Sequence, residues 1–243
     1  MQRLLAVFIV ALLAGLIATL PLKLVLGLTG HGIDLSRAEI HGSIWNGTIR
    51  GARFGQLSIR RAKIHTRPWP LLGGRLAIDW VLADAGLRGS GLAWIDLQGD
   101  WQARDAHLVG VPVRLGLQRI PGLTEGTVIT VSLDRLEITD GHCAAASGTM
   151  NAAVSADLSQ EFGLAVPELS GVLECRGGDL VAALAGESED MSIAAEMSFG
   201  LTDIAWRLGI TTANPDLGNA LAYSAFNLSD GVWRRNGEMR HAD

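Results

Sequence analysis

The best candidates for acid–base catalysis by paired carboxylates are four closely spaced aspartates, Asp79, Asp84, Asp96 and Asp100. They fall on neighbouring strand-like segments, so two of them could form a carboxylate pair. Aspartate also favours turns, and ordinary turn and surface positions account for all four. An enzyme needs a nucleophile, a base and an orienting group within reach of one another, and the sequence offers no such set. We therefore predict a protein that is not an enzyme, with no catalytic residues and no cofactor.

Metal and nucleotide sites are not predicted either. Gly86, Gly89 and Gly91 are spaced loosely like a dinucleotide fingerprint, but no helix follows them. The sequence contains no Walker loop and no nucleophile elbow. The histidines are scattered without the spacing of metal ligands; they are His31, His41, His65, His107, His142 and His241.

Cys143 and Cys175 are the only cysteines. Two lone cysteines in an oxidising compartment commonly pair. The bridge would close a loop of about 30 residues and constrain the unfolded chain. The alternative is two buried free thiols, because the geometry of a bridge is not readable from sequence. We predict the Cys143–Cys175 disulfide.

The densest charge feature is a basic run, which is the candidate interaction patch of this chain. Its members are Arg50, Arg53, Arg60, Arg61, Lys63 and Arg67. Three interpretations stay open: contact with anionic lipid headgroups, contact with an acidic partner protein, or a solvated strand face.

Charge is distributed unevenly along the chain, whose net charge is −5. Residues 29–119 hold 12 basic and 7 acidic residues, whereas residues 120–243 hold 6 basic and 18 acidic residues. The asymmetry indicates two electrostatically different faces or lobes, unless both halves are simply solvated. The overall acidity argues against a nucleic-acid partner.

The N-terminus contains a predicted membrane anchor. Residues 4–22 read LLAVFIVALLAGLIATLPL, 19 residues without a charge, which is long enough to span a bilayer as a helix. Arg3 precedes the stretch and favours a cytoplasmic N-terminus. A cleaved signal peptide is the alternative, but its apolar region is shorter and ends at a small-x-small site. We predict an uncleaved transmembrane anchor over 1–28 and a periplasmic β domain over 29–243.

Beyond the anchor, apolar residues alternate with period two. Met191, Ile193, Ala195, Met197 and Phe199 form the longest clean run. Such alternation is typical of strands with one buried face, and closely spaced turn signals favour an antiparallel meander. The fold class predicted is therefore all-β.

Several local features refine this prediction. The alternation shifts by one residue near Arg135, which predicts a β-bulge. Residues 86–91 form a predicted turn region, and residues 214–223 form either a short helix or an irregular loop. Repeated glycines within strands indicate a strongly bent sheet, either a folded-over groove or an open barrel.

The tryptophans suggest different environments. Trp80 and Trp94 sit in alternating runs and are predicted to be core residues. Trp69 lies between two prolines, where it is a bend residue, a bilayer-interface residue or an exposed contact.

A series of short motifs follows the anchor in a fixed order. They are GSIWNG at 42–47, RPWPLLGGRL at 67–76, GTV at 126–128, LDRL at 133–136, and Cys143 followed by GVLEC at 171–175. This order resembles the N protein of the type II secretion system, also called general secretion pathway protein N. GSIWNG is like the family's G-x-[VI]-W-x-G, and the resemblance covers roughly residues 40–240.

The resemblance implies an accessory inner-membrane component of the machine that moves folded proteins from the periplasm across the outer membrane. It implies a scaffold whose partners are inner-membrane platform proteins, with the secretin as a further candidate. Proteins of similar build resemble the AsmA-type group, whose folded-over β-grooves are associated with lipids. The alternative is therefore an AsmA-like periplasmic lipid-binding or lipid-transfer protein. Either function implies a single-pass protein of the cell inner membrane in contact with its lipids.

Overall fold

The computed structural model describes residues 15, 19, 21, 33–34, 38–54, 57–96, 98–115, 117, 120–121, 123, 126–153, 163–200 and 203–240. Its strands are β1 (Ile33–Asp34), β2 (Glu39–Ser43), β3 (Asn46–Phe54), β4 (Leu57–Arg67), β5 (Arg75–Asp84), β6 (Leu87–Asp96), β7 (Trp101–Gly110), β8 (Val128–Thr139), β9 (His142–Ala153), β10 (Leu169–Arg176), β11 (Asp179–Glu187), β12 (Met191–Phe199), β13 (Asp203–Thr212), β14 (Asn227–Ser229) and β15 (Val232–Arg240). Its helical segments are a 3-10 helix (Trp69–Gly73), α1 (Pro112–Leu115) and α2 (Pro215–Tyr223).

All the strands belong to one antiparallel sheet. From β3 to β13 each strand pairs with its neighbours in sequence, then β15 pairs with β13 and β14 pairs with β15. At the other edge both β1 and β2 pair with β3. Within the described residues no pairing joins the two edges, so the sheet is not closed. The predicted all-β antiparallel meander is confirmed.

Alternation along the strands gives the sheet an apolar face and a polar face. Leu184 of β11, Ala195 of β12 and Leu208 of β13 stand opposite one another on the apolar face. Their sequence neighbours stand on the polar face, because successive side chains of a strand point to opposite sides. The main core lies on the apolar face of β8–β13 and β15 together with the segment after α1; it consists of Leu117, Ile120, Ile129, Met150, Ala152, Leu169, Leu173, Ala182, Leu184, Met197, Ile204, Trp206 and Met239.

Two of the local predictions hold. The pairing of β8 with β9 shifts register between Leu133 and Arg135, which confirms the predicted bulge. Residues 215–223 form the helix α2 and not an irregular loop. The helix begins cleanly because Asn214 caps it: its side-chain oxygen accepts hydrogen bonds from the backbone N–H groups of Asp216 at 2.9 Å and Leu217 at 3.1 Å.

Two other local predictions are wrong. The turn predicted over 86–91 is confined to residues 85–86, and β6 begins at Leu87. Gly91 lies inside that strand, and glycine is required there because a Cβ would come within 2.8 Å of the Trp80 ring. Trp94 is not a core residue of the apolar face: it pairs with Gln102 on the polar face, where the Arg104 guanidinium lies 5.4 Å from its ring centroid.

The two ends of the sheet differ in what they carry. One end, called here the helix end, carries α1, α2 and the segment 163–168. The opposite end, called here the hairpin end, carries the β2–β3 turn at 44–45, the 3-10 helix and the tight turns at 98–100, 140–141 and 177–178.

The predicted anchor over 1–28 lies outside the described residues, apart from residues 15, 19 and 21. Among the described residues, no helix combines the length and the hydropathy that a membrane span requires.

Candidate functional site

A cavity of about 270 Å³ lies on the apolar face near the helix end. Strands β8 to β13 all contribute to its wall, and α2 and the segment 120–123 complete it. Its lining is aliphatic, thioether and aromatic except at Arg207 and Ser224; it includes Ile120, Pro121, Leu123, Ile129, Met150, Ala152, Leu164, Val166, Leu169, Leu184, Met191, Ile193, Ala195, Met197, Trp206, Leu208, Ile210, Leu217, Ala220, Leu221 and Phe226. Such a cavity suits an apolar chain.

Helix α2 closes one side of this cavity. Leu217, Ala220 and Leu221 face the cavity at helical spacing, while Tyr223 is 94% exposed. The C-terminal end of the helix is fixed by Arg235 of β15, whose guanidinium donates a hydrogen bond to the Ser224 carbonyl at 2.7 Å. The helix is therefore held at both ends, by Asn214 and by Arg235.

The polar face carries most of the predicted basic patch. Arg50 of β3 stands directly opposite Arg61 of β4, and Lys63 lies two residues further along the same face. All three are exposed, and none makes an ion pair with another residue that the structure describes. Like charges directly opposite one another in a sheet are destabilising, although Glu39 of β2 stands opposite Arg50 on its other side.

The other members of the predicted patch differ. Arg67 binds Asp79 through two hydrogen bonds, of 2.8 and 2.7 Å. These hydrogen bonds lower the pKa of the Asp79 carboxyl and raise the pKa of Arg67. Arg60 alternates with Arg61 and points to the other face, where its backbone N–H and its guanidinium contact Asp84. The side chain of Arg53 lies outside the described residues.

The basic surface extends beyond the run found in the sequence. Arg104 of β7 stands opposite Arg135 of β8 on the same polar face, which makes a second arginine pair across two strands. Arg135 is neutralised in part by Glu137 at 2.6 Å. Sequence reasoning missed this pair because the two residues are 31 positions apart in the chain; only the register of β7 and β8 brings them together.

The four aspartates considered for catalysis are each engaged separately. Besides Asp79 and Asp84, Asp96 accepts hydrogen bonds from the backbone N–H groups of Gln98 and Asp100, each at 3.0 Å. Asp100 in turn accepts one from the backbone N–H of Asp140 at 3.0 Å. These are turn and ion-pair contacts, so the four carboxylates have structural partners. In the described part of the chain, no three residues of the His, Cys, Asp and Glu types are grouped to hold a metal ion.

Comparison with models of protein families identifies the family of this chain. The family described as Type II secretion system (T2SS), protein N, has a model that matches residues 34–235. The chain belongs to that family. For this T2SS protein N family member the match begins in β1 and ends within β15, so it includes residues of every strand of the sheet. No curated protein and no solved structure matches the chain.

The disulfide of this T2SS protein N family member joins two neighbouring strands. Cys143 of β9 and Cys175 of β10 are bonded with a Cα–Cα distance of 5.5 Å, which confirms the predicted pair. Cys143 is buried with Ala103 and Leu136 in a small cluster near the hairpin end. Its backbone N–H donates a hydrogen bond to the Gly178 carbonyl at 2.7 Å. The bridge therefore ties the β8–β9 hairpin to the β10–β11 hairpin.

Proposed function

We propose that this chain is an accessory inner-membrane component of the type II secretion system that acts as a scaffold for the export of folded proteins. The observation that carries the proposal is the family match from β1 to β15. On this proposal the chain is anchored once in the inner membrane by residues 1–28 and has its β domain in the periplasm. The disulfide supports an oxidising compartment, because such bonds persist in the periplasm and are rare in the cytosol.

The basic part of the polar face is the proposed contact for an acidic partner. Arg50, Arg61 and Lys63 form an exposed cationic group that makes no ion pair within the described structure, although Glu39 of β2 stands opposite Arg50. Charge complementarity of this kind guides encounter and sets specificity more than it sets affinity. The partners in this proposal are platform proteins of the inner membrane, with the secretin as a further candidate.

The edge of the sheet at β15 is a second proposed contact. β14 pairs with residues 232–234 only, and no strand of the described structure pairs with that side of residues 235–237. An exposed edge presents backbone N–H and C=O groups that an extended segment of another protein can pair with.

Mild crosslinking in cells that carry the secretion system tests the scaffold proposal. The full chain should co-purify with inner-membrane components of the system. The triple change Arg50→Glu, Arg61→Glu and Lys63→Glu should reduce this capture, because it reverses the charge of the proposed contact. Arg176→Glu, on the polar face of β10 and outside both proposed contacts, is the control and should leave capture unchanged. Absence of any secretion component from the crosslinked material would contradict the proposal.

A second candidate function, AsmA-like lipid binding or lipid transfer, is favoured by the apolar cavity. Six neighbouring strands spaced about 4.8 Å apart line this one cavity of about 270 Å³. We propose that the sheet bends over its apolar face into a groove for an acyl chain. Mass spectrometry of the domain from residue 29 onward, purified without detergent, should then detect bound phospholipid.

Helix α2 offers a matched pair of variants for this test. Ala220→Trp would fill the cavity, since Ala220 lines it, whereas Ala222→Trp places the same ring on the exposed side of the helix. Lipid should be lost from the first variant and kept by the second. An empty groove in the unaltered domain would count against lipid binding and leave the scaffold function in place.

A further inference from the structure

The hairpin end of the sheet presents a group of exposed apolar side chains. Trp69 is 78% exposed, Ile95 41% and Trp101 39%, and Leu71 is exposed to a similar degree. Exposed tryptophans clustered with aliphatic residues are unusual on a surface that faces only water. These four residues are called here the apolar rim.

All four residues of the rim lie at the hairpin end, and two of them are paired neighbours. Trp69 and Leu71 belong to the 3-10 helix that leads directly into β5. In β5 Leu76 pairs with Ile95 of β6, and Ile95 pairs with Trp101 of β7. Ala103, one step further into the same face, is buried. The apolar face is thus covered inside the sheet and uncovered at this end.

One described residue of the predicted anchor, Pro21, lies at the same end of the sheet as the rim. Pro21, within the uncharged stretch of residues 4–22, forms a bridge with Ser43 at the end of β2. The adjoining turn residue Trp45 accepts a hydrogen bond from the backbone N–H of Thr66 at 3.3 Å, three residues before Trp69. Two short links therefore connect the anchor segment to the rim.

We infer that the apolar rim rests in the interface of the lipid bilayer, so that the strands stand on the membrane by their hairpin end. The inference rests on the proposed inner-membrane anchoring. Tryptophan is enriched at the level of the lipid headgroups, where its ring is partly in an apolar and partly in a wet environment. In this orientation the polar face projects sideways into water, and the basic group of Arg50, Arg61 and Lys63 stays available to a protein partner.

The interaction is apolar in origin. Arg67 and Arg75 flank the 3-10 helix, but Asp96 and Asp100 lie in the next turn of the same end, so the two signs of charge offset each other. Insertion of the rim should therefore occur in phosphatidylcholine vesicles as well as in vesicles containing phosphatidylglycerol, and high salt should not reverse it.

A fluorophore placed on the rim tests the inference in the full chain. The native cysteines are bonded to each other, so a Trp69→Cys variant carries a single reactive thiol for an environment-sensitive dye. Tyr223→Cys is the matched control, because Tyr223 is exposed at the helix end. Both labelled proteins are reconstituted into vesicles of phosphatidylcholine, with and without phosphatidylglycerol, and quenched with brominated lipids.

The expected result is a blue-shifted emission and strong loss of fluorescence at position 69, with neither change at position 223. If the protein floats with the vesicles while the two labels respond alike, the rim is not in the bilayer and the anchoring proposal survives. If the protein does not float with the vesicles at all, both the anchoring and the rim inference are overturned. Salt-dependent quenching at position 69 would also overturn the apolar mechanism.

Discussion

Leu173 and Val172 are adjacent in β10 and test the two-faced sheet directly. Leu173 is 4% exposed on the apolar face, and Val172 is 53% exposed on the polar face. Truncation of a buried leucine to alanine removes apolar burial and leaves a cavity, which together cost about 2–5 kcal/mol. Leu173→Ala should therefore lower the free energy of unfolding by about 3 kcal/mol, whereas Val172→Ala should lower it by less than about 1 kcal/mol.

Urea denaturation of the domain from residue 29 onward, followed by tryptophan fluorescence, measures both variants. With an m-value of about 3 kcal/mol/M, the loss in Leu173→Ala lowers the urea midpoint by about 1 M at unchanged m. Leu173→Met keeps most of the side-chain volume, so its loss should stay under about 1.5 kcal/mol. An equal or larger effect of Val172→Ala would refute the assignment of the two faces.

Three further outcomes follow from individual contacts. The double change Cys143→Ser and Cys175→Ser should lower the free energy of unfolding by about 3–4 kcal/mol, since the two residues are 32 positions apart; a urea midpoint like that of the disulfide-bonded protein would contradict it. Asn214→Ala removes the cap of α2 and should destabilise the helix by about 1 kcal/mol; amide hydrogen exchange in the first turn should accelerate, and unchanged rates would exclude the capping role. Arg67→Ala should raise the pKa of Asp79, which NMR titration of its carboxyl measures. Because that pKa is lowered in the folded protein, the pair's contribution is present above the ordinary aspartate pKa of about 3.9 and disappears as the pH falls through the folded value. A stability difference between Arg67→Ala and the parent that grows toward low pH would have the wrong sign.

Much of the secondary structure was accessible from local pattern alone. The run from Met191 to Phe199 is a strand, as its alternation predicted, and the shift near Arg135 is a bulge. These predictions succeeded because one face of each strand is buried, so that every second residue of the strand is apolar. The family was also accessible, since the order of motifs is a property of the chain.

Predictions failed where a residue's environment depends on a neighbouring strand. Gly89 and Gly91 look like turn residues, but they lie in β6. Glycine is needed at these positions because atoms of the neighbouring strands β5 and β7 approach too closely for a Cβ. Trp94 alternates like a core residue, yet it stacks against Arg104 on the polar face. A glycine can lie in a turn or inside a strand, and an apolar residue can lie in the core or on the polar face. The local sequence pattern is the same in both cases, so it does not distinguish them.

In the candidate sites too, local sequence predicted some features, and strand pairing decided the others. The basic run was found from sequence, but Arg60 points away from Arg61, and Arg104 joins Arg135 only through the register of β7 and β8. Helix α2 was one of two alternatives, and its position over the cavity was not predicted. Side-chain alternation assigns a residue to one of two faces, and pairing between strands decides which residues share a site.

The sequence by itself determined the all-β class, the family and the pair of cysteines, because alternation, motif order and residue count are carried by the chain. Tertiary structure alone decided that the apolar face of six strands and α2 enclose a cavity, that arginines distant in the chain stand opposite each other on the polar face, and that Trp69, Ile95 and Trp101 lie at the same end of the sheet. The physical reason is that these groupings are made by strand register and by the course of the sheet. Both depend on pairings between segments far apart in the sequence.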